Sequence, residues 1–141
     1  MAPVDGVYDP PCRQVYKRFG PGLMVSEMIN ARAVIHNRAK TLIKIGPAVG
    51  ERPFAVQLCS SDPEVLAEAA RIVEGEVEGV AMIDLNMGCP ARKVVAEGAG
   101  AALMLDPTLA ARCVAAVAEA VSLPVSVKMR SGFSPNEPLA K

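Results

Sequence analysis

Cys89 has the most chemistry within its reach. It lies in the stretch IDLNMGCPARKVV (83–95), held between Gly88 and Pro90 and followed by Arg92 and Lys93. Gly-Cys-Pro makes a turn, so this thiol stands outside the regular core. Two nearby cations can lower a thiol pKa or hold a phosphate backbone, whereas an ordinary free cysteine is an inert small hydrophobe. The residues alone leave both roles open. Cys12, Cys59 and Cys113 read as inert: Cys113 falls on a helical apolar stripe, and Cys59 lies at a strand end beside a helix cap. No CxxC pair occurs, so zinc is not indicated, and no His/Asp/Glu cluster suggests another metal. His36 is the single histidine, which gives a Cys–His nucleophilic pair little support.

The other candidates are polar residues embedded in apolar runs. Lys128 alternates with Val125, Val127 and Met129 and shares its face with Ser126 and Arg130. A buried, unpaired ammonium is costly, so Lys128 must pair with a carboxylate or meet the negative charge of a ligand. Gln57 could satisfy a neighbouring backbone group or read a heteroaromatic ring. Asn86 could make a turn or cap bond, or contact a ligand. Each alternative stays open at this point.

These residues need elements to position them. Short apolar runs predict strands over 23–28, 54–58, 82–87 and 125–130, with a stub at 1–4. Ser61-Asp62-Pro63-Glu64 and Asp106-Pro107 are helix starts, each followed by apolar residues at helical spacing. A further helix is expected over about 11–19, and a short one from 93 or 94 into GAGAALML. Residues 45–53 read as a loop. Strand and helix in alternation imply an α/β fold with about five parallel strands and right-handed crossovers. Composition does not say whether that sheet is open or closed. The polar residues gather at strand carboxyl ends: Ser26 and Glu27, Gln57, Asp84 and Asn86, Lys128 and Arg130. That is where parallel α/β folds bind ligands.

Bulk properties set the limits. The 141 residues are 51% apolar, enough for one domain with a real core. Fifteen basic and fifteen acidic residues balance, so the chain as a whole carries no nucleic-acid footprint. The charges are nevertheless segregated, with a basic, acid-free strip at 32–44 and an acidic segment at 62–78. Two solvated faces are the plain reading, and a phosphate-binding strip is the sharper one. No apolar run is long enough to span a membrane, and no leader is visible at the start. Cysteine usage fits a reducing cytoplasm. GxxxxGK[ST] does not occur, and EGAGAAL spaces its glycines too closely for a dinucleotide fingerprint.

DLNMGCPARKVVAEGAGAALMLDP resembles the signature of the tRNA-dihydrouridine synthases, flavin-dependent reductases of tRNA uridines. MAPVDGVYDPPCRQVYKRFGPGLMVSEM, RPFAVQLCSSDPEVLAEAARIVE and LPVSVKMRSGF resemble the same family in the same order. The resemblance implies a TIM (β/α)8 barrel, of which this chain would hold the N-terminal portion of the FMN-binding catalytic domain (1–141). The C-terminal strands and a helical tRNA-binding domain would then lie beyond it. It also implies FMN as cofactor and NADPH as reductant. Cys89 would be the acid that protonates the uracil ring. Pro3, Val4, Asp5, Gln57 and Lys128 would contact the flavin. Asn86, Arg92, Lys93 and Arg130 would serve the substrate side, with tRNA as partner. Val4, Asp5 and Ser60 depart from the family pattern. Two other expectations stand beside this one. The first is a flavin reductase of free pyrimidines, of the dihydroorotate type. The second is a catalytically silent half-barrel whose open edges promote self-association.

Overall fold

The computed structural model of the chain describes residues 3, 6–48 and 50–133. At its centre lie parallel strands β1 (Met24–Asn30), β2 (Phe54–Cys59), β3 (Val80–Met87) and β4 (Val125–Met129). Their spatial order is β1-β2-β3-β4, so every strand lies beside its neighbour in sequence. A doubly wound sheet reverses at a switch point, whereas the wall of a (β/α)8 barrel advances in one direction. The fold is therefore α/β with the strand order of a barrel wall. The expected stub falls outside the described residues, except for Pro3, which belongs to no regular element.

Register separates two faces. Gln57 pairs with Asp84, Asp84 with Ser126, and Asn86 with Lys128. Because side chains alternate along a strand, these polar groups share one face. Val56, Leu58, Ile83 and Leu85 occupy the other. They join the core with Leu66, Ala70 and Val73 of α4 (Pro63–Glu76) and with Cys113 and Val117 of α6 (Pro107–Ala120). All of β2 is buried, which is why its sequence runs apolar almost without a break.

The helix starts at Asp62 and Asp106 form as expected. Asp62 Oδ1 accepts from the N–H groups of Glu64 (3.1 Å) and Val65 (3.3 Å), and Asp106 Oδ1 from that of Leu109 (2.9 Å). α1 (Pro10–Lys17) is capped in the same way by Asp9. The short helix expected from 93 onward is two pieces, α5 (Arg92–Ala96) and a 3-10 helix (Gly100–Leu105). Gly98 separates them at φ +71°, a conformation that breaks the helix and that glycine adopts without steric cost.

Two findings depart from expectation. β1 runs past residue 28 to Asn30, because a bulge between Val25 and Met28 accommodates an extra residue. Ser26 and Glu27 thus lie mid-strand rather than closing it. The strip at 32–44 is not merely a charged face; it forms α2 (Ala31–His36) and α3 (Arg38–Ile45), with Ala31, Val34, Thr41 and Ile45 turned inward. Its cations meet the acidic segment directly: Arg32 pairs with Asp62 at 3.4 Å, and Arg38 pairs with Glu76. Such exposed pairs contribute at most about 1 kcal/mol each.

The amino-terminal end of the sheet is closed by a buried ion pair. Arg13 and Glu51 are both fully buried. Arg13 Nε donates to both Glu51 oxygens (3.2 and 3.1 Å), Nη1 to the Tyr8 carbonyl and Nη2 to that of Gly46. The Ala48 N–H donates to Glu51 Oε2 at 2.7 Å, and the guanidinium lies 5.1 Å from the centre of the Phe54 ring. These bonds fasten α1 and the loop after α3 beneath the start of β2.

Candidate functional site

The polar face of the sheet is joined into one chain of side-chain hydrogen bonds. Ser126 Oγ on β4 donates to Asp84 Oδ1 at 2.6 Å. Asp84 Oδ2 accepts from Gln57 Nε2 at 2.5 Å, and Gln57 Oε1 accepts from Asn86 Nδ2 at 2.8 Å. Asn86 Oδ1 then accepts from the backbone N–H groups of Gly88 (3.2 Å) and Cys89 (2.9 Å). Gln57, Asp84 and Asn86 are buried, and every link is paired, as buried polar groups require. Gln57 therefore pairs chiefly with side chains across the sheet. Ser26 Oγ, from β1, also holds its backbone by accepting from the Gln57 N–H.

Cys89 sits half-buried where this chain ends, just past the carboxyl end of β3. Asn86 grips its turn from one side. From the other, the Ala101 N–H donates to the Cys89 carbonyl at 3.0 Å. Gly100, at φ +59°, makes that approach available: a β-carbon there would lie 2.7 Å from the Cys89 oxygen. Cys59 lies beside this turn at the end of β2. Burial, followed by the nearby Cys89 sulfur, pushes its thiol up to about 11, with the Gly100 N–H opposing. Cys59 is thus protonated and unreactive at neutral pH, in keeping with its reading as inert.

The cations gather around the same rim. Lys128 stands beside Asn86 across the β3–β4 pairing. Arg130 packs against Gly88, with its Cγ at 3.4 Å from a β-carbon built there. Arg92 and Lys93 are exposed in the first turn of α5. None of these four forms an ion pair among the described residues. Lys93 lines a cavity of about 280 Å³ together with Met28, Asn30, Cys59, Val94, Glu97 and Ala99. A hollow of about 340 Å³ near the opposite end, bounded by Leu42, Gly46, Arg52 and Glu78, contains none of the candidates. Pro3 is half-buried, and Val4 and Asp5 lie outside the described residues.

From the sequence Asp84 is one of the polar strand-end residues but has no role of its own, and Ser126 and Gly100 have none. Alternation with Asn86 and Lys128 was the available signal for the first two. Nothing local marks Gly100. No group of His, Cys, Asp and Glu among the described residues could hold a metal.

Comparison with known proteins decides the family. The family described as dihydrouridine synthase matches residues 1–139. The chain belongs to the dihydrouridine synthase family. A probable tRNA-dihydrouridine synthase of Rickettsia conorii is 48% identical over 137 residues, covering 96% of this chain and 41% of the relative. A relative from Rhizobium leguminosarum with the same description is 42% identical over 136 residues, covering 96% and 42%. The tRNA-dihydrouridine synthase B of Pseudomonas aeruginosa is 42% identical over 134 residues, covering 94% and 40%. The chain thus spans about two fifths of the length of these dihydrouridine synthases.

The rim has the donor set that an electron-rich heteroaromatic cofactor needs. Lys128 offers a cation that forms no ion pair among the described residues. Gln57 and Asn86 offer amides of fixed polarity. Glu27 Oε1, on the bulged part of β1, is a buried acceptor with no donor among the described residues. A buried acceptor without a partner is costly, and a ligand hydroxyl or N–H would satisfy it. On these grounds the residues present fit a flavin.

Proposed function

We propose that this chain is the N-terminal part of the catalytic barrel of an FMN- and NADPH-dependent tRNA-dihydrouridine synthase, acting in the cytoplasm. The observation that carries the reading is the placement of Cys89. Its thiol is half-buried at the carboxyl-end rim, on a turn held by Asn86, with cations nearby that form no ion pair among the described residues.

In this reading Gln57, Lys128, Glu27 and the N-terminal residues Pro3, Val4 and Asp5 hold the cofactor. Held there, the flavin would supply the hydride chemistry needed at C6 of uracil. Cys89 Sγ–H gives its proton to C5 of the same ring, so the C5–C6 double bond is saturated by one hydride and one proton. Asn86 orients the base while keeping the Cys89 turn in place. Lys128 stabilises negative charge at the pyrimidine end of the cofactor, and Arg130 supports the same corner. A uridine in folded tRNA must leave its stack to reach such a rim. Arg92 and Lys93, exposed and in no ion pair among the described residues, take the flanking phosphates in this reading. Arg32 and Arg38, from the basic strip at 32–44 that offered a phosphate-binding alternative, pair with Asp62 and Glu76 instead.

The test is to incubate the intact protein with tRNA, FMN and NADPH and to measure dihydrouridine by mass spectrometry. Activity on tRNA that is nearly abolished by Cys89→Ala supports the reading. Undiminished turnover in that variant overturns the role of Cys89. Reduction of free uracil in preference to tRNA would assign the protein to the free-pyrimidine reductases.

A further inference from the structure

We propose that Asp84 is a positioning residue for Cys89, acting through Gln57 and Asn86 by setting which way their side-chain amides point. The importance of Cys89 to catalysis rests on the reading above; the orientation of its turn does not.

An amide side chain has almost the same shape in its two orientations, so its polarity must be imposed by its neighbours. Here the two ends of the chain impose it jointly. At one end the Asp84 carboxylate accepts only. Oδ1 is taken by the Ser126 hydroxyl at 2.6 Å, and Oδ2 faces Gln57 at 2.5 Å. Gln57 must therefore turn its NH2 group to Asp84 and its oxygen to Asn86. Asn86 must answer with its own NH2 group, at 2.8 Å. That leaves Asn86 Oδ1 aimed at the Gly88 and Cys89 N–H groups, which only donate, at 3.2 and 2.9 Å. Reversing either amide sets oxygen against oxygen at one end or N–H against N–H at the other. In a buried site no water relieves such a clash.

Ser126 belongs to the same device. It occupies the second carboxylate oxygen from β4, so Asp84 turns the other oxygen to Gln57. Three strands thus contribute to the orientation of one turn, and the residue that starts the sequence of bonds does not itself touch that turn.

Hydrogen exchange of the Gly88 and Cys89 backbone amides in the full chain reads this directly. Asp84→Asn should keep protection within about twofold of wild type, because the introduced amide can accept from Gln57 and donate to Ser126. Asp84→Leu should lower protection at both amides by about fivefold, the factor carried by one net hydrogen bond. Gln57→Leu should lower it equally. Gln57→Leu/Asp84→Leu replaces both partners by apolar groups and keeps the variant foldable; it should match Gln57→Leu alone, because Asp84 acts only through Gln57.

Wild-type protection in Asp84→Leu, or a loss in Asp84→Asn as large as in Asp84→Leu, overturns the proposal. So does a double variant whose loss is the product of the two single losses. Exchange needs neither flavin nor tRNA. Absence of dihydrouridine formation with an intact exchange pattern would therefore count against the reaction and not against the relay, and the reverse pattern would do the opposite.

Discussion

Gly100 and Cys89 are in backbone contact: a β-carbon on Gly100 would meet the Cys89 carbonyl oxygen at 2.7 Å and its β-carbon at 3.2 Å. The same carbonyl accepts from the Ala101 N–H, so the start of the 3-10 helix is seated on the turn that carries the thiol. Gly100→Ala must push backbone against backbone, and it must also hold alanine at φ +59°. The expected loss of stability is about 1–3 kcal/mol, measured by urea unfolding. Alkylation of Cys89, followed by peptide mass spectrometry, should change in rate at the same time, because the turn is displaced.

The Arg13–Glu51 pair predicts a large asymmetry between single and double substitutions. Glu51→Ala leaves a guanidinium buried without its carboxylate and should cost about 3–5 kcal/mol. Arg13→Met together with Glu51→Leu removes both charges and should recover most of that loss. Chemical denaturation midpoints of the three proteins check this. A double variant as unstable as Glu51→Ala would show that the bonds to Tyr8, Gly46 and Ala48 matter more than the charge balance.

Cys59 makes stability depend on alkaline pH. Burial favours the neutral thiol, so the folded chain keeps this proton to higher pH than the unfolded chain, for which the usual value is 9.0. The folded state binds more protons in that range, and stability falls as pH rises. The contribution is complete below about 9 and is lost as pH passes through about 11. Cys59→Ala should flatten that part of the stability profile, as measured by urea midpoints across the alkaline range. An unchanged alkaline slope would assign the loss to other groups.

Lys128→Met tests the cofactor reading without turnover. The substitution keeps the unbranched stem of the side chain and removes its charge, so the sheet should remain folded. If Lys128 meets the flavin, FMN affinity in the intact protein should fall by about 2 kcal/mol, roughly thirtyfold. Fluorescence titration with FMN measures it. Equal affinity in the variant would remove Lys128 from the cofactor site.

What could be read from the residues follows from how local each signal is. β2 was legible because both of its faces are buried, which leaves the apolar run FAVQL. The starts of α4 and α6 were legible because Asp-Pro carries its own capping geometry. α2 and α3 were not, because each is short, they meet at Asn37, and their many cations mask a sparse apolar stripe. The buried Arg13 could not be foreseen, since its carboxylate partner lies in a loop far along the chain. Polar residues near the strand ends pointed to the sheet face on which Gln57, Asp84, Asn86 and Ser126 are joined. The bonds that join Gln57 to Asp84 and Asn86 depend on the register between β2 and β3, which no single strand encodes.

The polar chain across β2, β3 and β4 also bears on how the sheet assembles. Its bonds run crosswise to the strands, from Ser126 to Asp84 to Gln57, so they tie neighbouring strands together at one level. If β3 slipped by a single residue, Ile83 or Leu85 would face Gln57, and Asp84 would turn toward the apolar interior. A parallel sheet offers evenly spaced backbone bonds that tolerate several alignments. These side chains accept one alignment, so the groups that arrange the site also proofread the pairing of the strands beneath it.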